Sequence, residues 1–448
     1  IGVSFIDQQG GNNINAYFKD FHTRIKTFDL EKNKYAIGDI LMDGLKLKLK
    51  QDLLEEVADN VEQKVDSLND KKPMQIDLNK IKLTNFDIDY GDDRTKTFAK
   101  VNFKELSTQI NALDLDKSKY DIEDVLLSGA KIQANLYLPS NPKSTNSKAE
   151  KPTDKQEELM QVLLGKAVFD DVQIAYNNTA VAPTRQGMDF NHLNFSKLNL
   201  DLRDFKMLGS TFEGSIKSGE IQEQRGLNVQ KVNTDFVYND KQAYLKNLYL
   251  QTPKTILRDE LILNYASVEQ LTANPGEVEI LANIKNSKIG FSDILNLVPT
   301  LRNTAPFNKY PNAILNVNTR LKGKVNNLQI SNLELSGIDK LRVAASGTVK
   351  NAMNPDQLYY DLKIRELSSN SKTIYNFLPK NTIPSNITLP SHMSIKGTAK
   401  GTTKQVNTNL NLKSTLGNAV VQAIVDMRKK NRETYNVKAN LQNLQVGT

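Results

Sequence analysis

The sequence predicts an all-β fold: an open, curled, taco-like antiparallel sheet whose units repeat into an elongated β-groove, with a few short helices. Three observations predict it. Residues 22–46 recur 85 positions later as residues 107–131, with twelve of 25 positions identical. Apolar and polar residues alternate along most of the chain, the period of a strand with one apolar face. Helical stripes are too few to cover that face.

The identities include Ile25/Ile110, Asp29/Asp114, Lys34/Lys119, Tyr35/Tyr120, Asp39/Asp124 and Gly44/Gly129. The match also runs backwards: Phe18-Lys19 answers Phe103-Lys104, and Phe5 falls opposite Tyr90. On this reading the chain starts inside a repeat, because most of the counterpart of Ile81 to Ile88 is missing ahead of Phe5. A weaker third copy is expected, in which Asn194 to Leu198 answers Asn102 to Leu106 and Lys217 to Ile221 answers Leu127 to Ile132. Beyond residue 225 only the strand rhythm persists. Arrays of this kind need only nearest-neighbour contacts for stability. The expected division is a partial repeat over 1–75, a second over 76–153, a divergent third over 154–300 and a further groove segment over 301–448.

Taken in order, residues 80–90 carry Ile81, Leu83, Phe86, Ile88 and Tyr90, with one step out of phase. Residues 166–176 answer with Val172, Ile174 and Tyr176. Leu198, Leu200 and Leu202 follow, then Phe236 and Tyr238, then Val278, Ile280, Ala282 and Ile284. The last third adds Leu341, Val343 and Ala345, then Leu358, Tyr360, Leu362 and Ile364, then Val437, Ala439 and Leu441. Turn residues separate these runs every ~8–14 positions. Helices are expected at 51–68, from the stripe Leu53, Leu54, Val57, Val61, Val65 and Leu68, and at 154–166, from N-cap Asp154 to Gly165. Two shorter ones, 291–301 and 371–378, each meet a proline. Residues 140–156 read as a polar, proline-bearing flexible linker.

Hydrophobic residues make up 39% of the chain, below the globular norm of about 45–50%. A chain with much surface has that balance. Cysteine is absent, which excludes disulfides and thiolate metal sites and suits an oxidising compartment such as a bacterial periplasm. No apolar run approaches the ~20 residues of a membrane span, and the polar stretch from Asp7 to Asn13 does not read as a signal peptide. An anchor is expected outside this chain. The net charge of +8 is spread over 59 basic and 51 acidic residues. The densest knot, Arg428-Lys429-Lys430, falls in an expected hairpin turn, so nucleic acid is not an expected partner.

Catalytic signatures are missing. His22, His192 and His392 lie far apart without a ligand-spaced partner, so no metal site is expected. No nucleophile elbow, phosphate loop or dinucleotide fingerprint occurs. Asp92-Asp93 and Asp170-Asp171 are expected at turns or strand edges, as solvated acids. The chain is not expected to be an enzyme, and no cofactor is implied.

One-sided strands leave an apolar face that must be covered. The helices are too few to do so. Either the sheet closes into a dry sandwich or β-helix, or it curls into an open trough whose apolar lining meets a ligand. Asn, Thr and Ser interrupt the apolar phase, and each unpaired polar atom in a closed core costs about 1–3 kcal/mol. That favours the trough. Its expected lining is Phe86, Ile88, Tyr90, Val172, Ile174, Tyr176, Leu198, Leu200, Leu202, Val278, Ile280, Leu341, Val343, Leu362 and Ile364. The alternative is a closed β-solenoid, structural or adhesive, without a ligand. The aromatics Phe5, Tyr90 and Tyr176 read as rim residues, and the two Leu-Pro helices as plugs or lids on a sheet edge.

The phrases KIKLTNFDIDY and KAVFDDVQIAY, the stretch from Leu198 to Tyr238, and YLKNLYLQTP resemble the periplasmic part of TamB proteins of the AsmA-like superfamily, in particular Bacteroidetes members. GKVNNLQISNLELSG followed by LRVAASGTV fits the same recurring pattern. The resemblance is best from 76 to 350 and rests on the order of degenerate motifs. It implies a periplasm-spanning β-groove with a hydrophobic interior, anchored to the inner membrane through a segment not in this chain and reaching the outer membrane. It implies phospholipids as cargo and an outer-membrane BamA-superfamily barrel, TamA-like, as partner in outer-membrane assembly. The trough residues above would then be lipid-groove positions, and an exposed sheet edge could template a client strand.

Overall fold

In the computed structural model the described residues are 1–7, 12–29, 34–51, 75–115, 117–139, 159–354, 356–377, 388–429 and 431–443. They belong to two units, Ile1–Asn233 and Thr234–Thr448. About two thirds of them are in strands, as the alternation predicts.

In the first unit the repeat reappears in the strand limits. β2 (Asn12–Tyr17) and β3 (Asp20–Asp29) lie 85 positions ahead of the two ends of β7 (Thr97–Asp114). β4 (Lys34–Asp43) and β5 (Lys46–Gln51) stand in the same relation to β8 (Lys119–Ser128) and β9 (Lys131–Leu136). β1 (Gly2–Asp7) answers the end of β6 (Gln75–Asp92), so Phe5 does align with Tyr90. β10 (Gln161–Asn178) answers β6, and β11 (His192–Leu208) and β12 (Thr211–Glu223) complete a third set.

The short strands are halves of longer ones. The break between β4 and β5 falls at Gly44, and that between β8 and β9 at Gly129, with φ of +74° and +57°. A side chain resists that region, so glycine recurs there. Both halves pair in parallel with the long strand of the next set: β4 and β5 with β6, β8 and β9 with β10. The remaining described pairings of this unit are antiparallel. The expected antiparallel sheet is therefore mixed, with parallel joints where one repeat meets the next. Parallel neighbours require a crossover of about a dozen residues or more. The segments between those strands, 52–74 and 140–158, lie outside the described residues, and with them the expected helix 51–68 beyond Gln51 and the linker 140–156.

Three local expectations are corrected. Residues 161–166, expected to close a helix, open strand β10; residues 154–158 of that helix lie outside the described residues. The run Val162, Leu163, Leu164 fits either period, and pairing with Lys119 to Ile122 on one side and Phe205 to Leu208 on the other decides it. Asp170-Asp171 lies neither in a turn nor at a strand edge but in the middle of β10. The third copy is shifted: Leu198, not Phe195, stands opposite Val172, and Phe195 faces Ile174. Gly219 likewise lies within β12 and lacks the left-handed φ of Gly129.

β13 (Asn228–Tyr238) carries the boundary between the units. The second unit is a meander in which each strand pairs antiparallel with the next: β14 (Gln242–Gln251), β15 (Ile256–Asn264), β16 (Glu279–Gly290), β17 (Ile314–Lys324), β18 (Asn327–Ser336), β19 (Arg342–Lys350), β20 (Tyr359–Asn370), β21 (His392–Thr402), β22 (Gln405–Ser414), β23 (Gly417–Asp426) and β24 (Thr434–Gln442). Among the described residues no pairing joins β14 to β24. The sheet is open and not a closed barrel. A four-residue helix α1 (Gln270–Ala273) precedes β16. α2 (Phe291–Leu297) with the 3-10 turn Pro299–Asn303, and α3 (Ser371–Phe377), fall in the two expected Leu-Pro segments.

Bulges bend these strands. Asn85, Asp171, Asp204, Asn247, Asp259 and Asn286 all adopt positive φ inside β6, β10, β11, β14, β15 and β16. Most flank a break in register. Asn and Asp tolerate this conformation better than other side-chain-bearing residues. A bulge bends its strand and adds twist; a row of them curls the sheet. The single step out of phase between Leu83 and Phe86 falls at Asn85, whose positive φ kinks β6 without breaking its register with β7.

Candidate functional site

The register lines the alternating residues into rows that cross many strands on one face. One row of the first unit runs Val3, Ala16, Leu47, Ile88, Val101, Ile132, Ile174, Phe195. A second runs Phe5, Ile14, Leu49, Tyr90, Ala99, Ala134, Tyr176, Leu193. The aromatics Phe5, Tyr90 and Tyr176 thus share one row near the strand ends. Leu200 and Leu202 face Phe169 and Ala167 on the same side.

Where the halves of the short strands meet, the face is densest. Phe86, Phe103, Ala130 and Val172 are buried together, with Met42, Leu45, Leu83, Leu106, Leu127 and Leu198 packed around them. The Phe86 and Phe103 rings stack with centroids 5.0 Å apart. Val172 is only 1% exposed. The parallel joint is thus the packed seam of each repeat.

The second unit has the same construction. One row is Leu261, Ala282, Leu321, Ile330, Gly347, Leu362, Ala399. Another is Ala345, Ile364, Gly397, Leu410, Val421, Ala439. Ile280 and Val343 lie in neighbouring rows. Val278 is buried just ahead of β16. Leu341 is not a strand residue: it sits in the turn before β19, its N–H donating to Ile338 O at 2.8 Å.

Thirteen of the fifteen expected lining residues, all but Val278 and Leu341, thus lie in these rows or on the same strand phase. The sequence list omitted Val101, Phe103, Ala130 and Ile132, which carry the rows between the expected strands. Their own alternation was a usable signal, since Val101, Phe103 and Ile132 all sit on period-two runs.

Most of this lining is half-buried and not sealed. Ile88, Tyr90, Ile174, Tyr176, Leu200, Ile280, Leu362 and Ile364 all keep some solvent contact. At strand β24 the same face is bare, with Tyr435, Val437 and Leu441 64%, 57% and 53% exposed. Among the described residues no helix roofs it, because α2 and α3 lie in connections at strand ends. The polar interruptions are satisfied internally: Thr108, Thr319 and Thr408 donate to the carbonyls of Asp124, Asn332 and Thr398 at 2.8, 3.0 and 2.9 Å. A wet rim is not needed to explain them. The opposite face is polar, with ion pairs such as Lys82–Glu105 at 3.2 Å and Lys197–Glu220 at 2.8 Å.

One polar cluster stands apart, at the loop between β10 and β11. Asp189, 2% exposed, accepts hydrogen bonds from the Thr184 and Asn191 N–H groups at 2.7 and 3.1 Å. Its carboxylate also meets His192 Nδ1 at 3.1 Å and Arg225 Nη2 at 3.5 Å. Burial raises its pKa, but these hydrogen bonds outweigh it and hold the carboxyl down to about 2. Such a clamp fastens a loop and offers no open ligand position. Among the described residues no group of three His, Cys, Asp or Glu is placed to hold a metal ion, and no helix is long and apolar enough to cross a membrane. Comparison with protein-family models, with curated proteins and with solved structures finds no significant match.

Proposed function

We propose that the apolar face of the open sheet binds the acyl chains of phospholipids and conducts them along its rows, as a TamB-like, periplasm-spanning protein would between the inner and outer membranes. The observation that supports this reading is a multi-strand apolar face that stays half-buried, with no helix or second sheet laid over it among the described residues. Each methylene taken out of water on such a face is worth about 0.8 kcal/mol. Because each row presents an apolar residue on strand after strand, a bound chain can shift by one strand along its row without losing that contact. Headgroups would stay at the open margin. The protein would act as a binding and conducting element and not an enzyme, anchored through a segment outside this chain. It would work with a BamA-superfamily barrel in outer-membrane assembly, as the sequence resemblance implies.

Native mass spectrometry of the protein purified from a Gram-negative host tests the reading. Phospholipid should co-purify, and Ile174→Asp and Ile364→Asp should release it while the thermal unfolding transition persists. A folded, lipid-free protein that takes up no phospholipid when incubated with vesicles would sink it.

A further inference from the structure

The two ends of the strands in the second unit differ. At one end lie the turns 252–255, 337–341 and 415–416 together with residues 291–313, 371–377 and 388–391 of the helix-bearing connections; at the other end, among the described residues, lie turns, α1 and the 3-10 turn Pro275–Glu277. The helix-bearing end is assembled as one piece. Phe291 and Leu295 of α2 are buried, and Phe291 packs on Phe307 with centroids 4.6 Å apart. Tyr310 packs on Phe377 of α3 at 6.0 Å and accepts a hydrogen bond from Asn376 Nδ2 at 2.8 Å. The Asp339 carboxylate joins the pieces, accepting from Tyr310 at 3.0 Å and from the fully buried Thr373 at 2.8 Å.

On this braced scaffold Leu297, Val298 and Tyr375 are 54%, 44% and 46% exposed. Packing does not require it, since α2 already buries Phe291 and Leu295 on its other side. The charges are one-sided as well. The described residues of these connections carry Lys254, Arg302, Lys309, Lys340 and Lys372, and none of the five has a carboxylate within ion-pairing distance. Their acids are Asp293 and Asp339, and both are occupied: Asp293 accepts from Thr252 and Thr255 at 2.6 and 2.5 Å. At the opposite end acids and bases are mixed and partly paired, as in Glu277–Lys324 at 2.7 Å and Asp426–Arg428 at 2.5 Å.

We propose that the α2–α3 end of this unit docks on an anionic membrane surface. Leu297, Val298 and Tyr375 would enter the boundary between headgroups and acyl chains, and the unpaired Lys and Arg side chains would meet lipid phosphates. Exposed apolar residues sharing one end of the sheet with cations that lack a carboxylate partner among the described residues are the combination that binds an anionic interface. A neutral protein partner would use the apolar residues and leave the cations unexplained. The proposal does not depend on lipid conduction along the apolar face.

The test is co-sedimentation of the full chain with phosphatidylcholine vesicles, with and without phosphatidylglycerol, at low and high salt. Binding should appear with the anionic vesicles and weaken as salt rises. Leu297→Ser/Val298→Ser and Lys309→Glu/Lys372→Glu should each weaken it at least fivefold with the thermal transition unchanged. Ile364→Asp, on the apolar face, should leave it intact, which separates docking from conduction. Absence of vesicle binding, or binding that is salt-independent and equal in both rim variants, overturns the proposal. So does a rim that ignores vesicles but crosslinks to an envelope protein, which would assign the surface to a protein partner.

Discussion

The Asn85 side-chain amide donates to Asp43 Oδ1 across 2.7 Å, tying the positive-φ kink of one long strand to the last residue of the half-strand beside it. Thr84 Oγ1 donates to the same oxygen at 2.8 Å, and Lys19 Nζ pairs with the other at 3.2 Å. The hydrogen bonds from Asn85 and Thr84, with the Lys19 contact, lower the Asp43 pKa to about 2. Kink and strand break thus face each other across the parallel joint. Later bulges are held in related ways: Asp171 N–H donates to Asn199 Oδ1 at 2.8 Å, and Asn286 N–H to Asn318 Oδ1 at 2.6 Å.

Asn85 has φ of +55°, so a residue without its tolerance for that region should strain the joint. Asn85→Val is expected to destabilise the protein by about 1–2 kcal/mol from backbone strain alone. Asn85→Gly should cost less, since glycine keeps the conformation and loses only the bond to Asp43. Chemical denaturation followed by circular dichroism ranks the two, and the reverse order would contradict the role assigned to the kink.

The packed seam and the bare edge should respond differently to truncation. Phe86→Ala removes a ring that is 6% exposed and is expected to cost about 3–5 kcal/mol. Val437→Ala, at a site 57% exposed, should change stability by no more than about 0.5 kcal/mol. Urea midpoints of the two variants measure the contrast.

Asp189 couples the loop between β10 and β11 to pH. Its pKa is depressed, so its contribution is fully present above the ordinary carboxylate range near ~4. That contribution is lost as pH falls from there through about 2. Wild type should lose stability across this window, and the Asp189→Asn variant should show a shallower decline. Asp189→Ala leaves the Thr184 and Asn191 N–H groups without their acceptor, while Arg225 keeps its bonds to Thr184, with an expected loss of about 1–3 kcal/mol. Hydrogen exchange at Asn191 and Thr184 reads the loop directly.

Gly347 lies at φ of +141°, and a Cβ there would come within 2.0 Å of the Asp361 carbonyl oxygen. Gly347→Ala should therefore cost on the order of 3 kcal/mol through strain and displacement of β20. A thermal melt unchanged from wild type would mean that β19 and β20 separate there at little cost.

How much was legible in the residues varies along the chain. The 85-residue recurrence marked the strand limits of both complete copies, because identical residues occupy identical positions in the pairing. Alternation placed Ile88, Tyr90, Ile174, Tyr176, Ile280, Leu362 and Ile364 on one face, since strand geometry alone sends every second side chain to the same side. Residues 161–166 misled, because three consecutive apolar residues satisfy a helical period as well as a strand buried between two neighbours. The third copy misaligned because its outward residues are interchangeable polar ones, and the loop 179–191 replaces a short turn. Phe103 and Ala130 were missed for a different reason: their burial arises at a joint between strands distant in sequence.

The sequence by itself determined the all-β class, the repeat and the side of each strand that is apolar. These follow from periodicities of two and of 85, which need no partner to be read. Only the tertiary structure decided that half-strands join the next long strand in parallel, that Asn and Asp residues break the register inside strands, and that the apolar face is left half-buried among the described residues. Those features depend on which strands become neighbours and on what the connections reach. Pairing energy is spread over backbone groups that every residue shares, so the order of neighbours leaves little trace in side-chain identity.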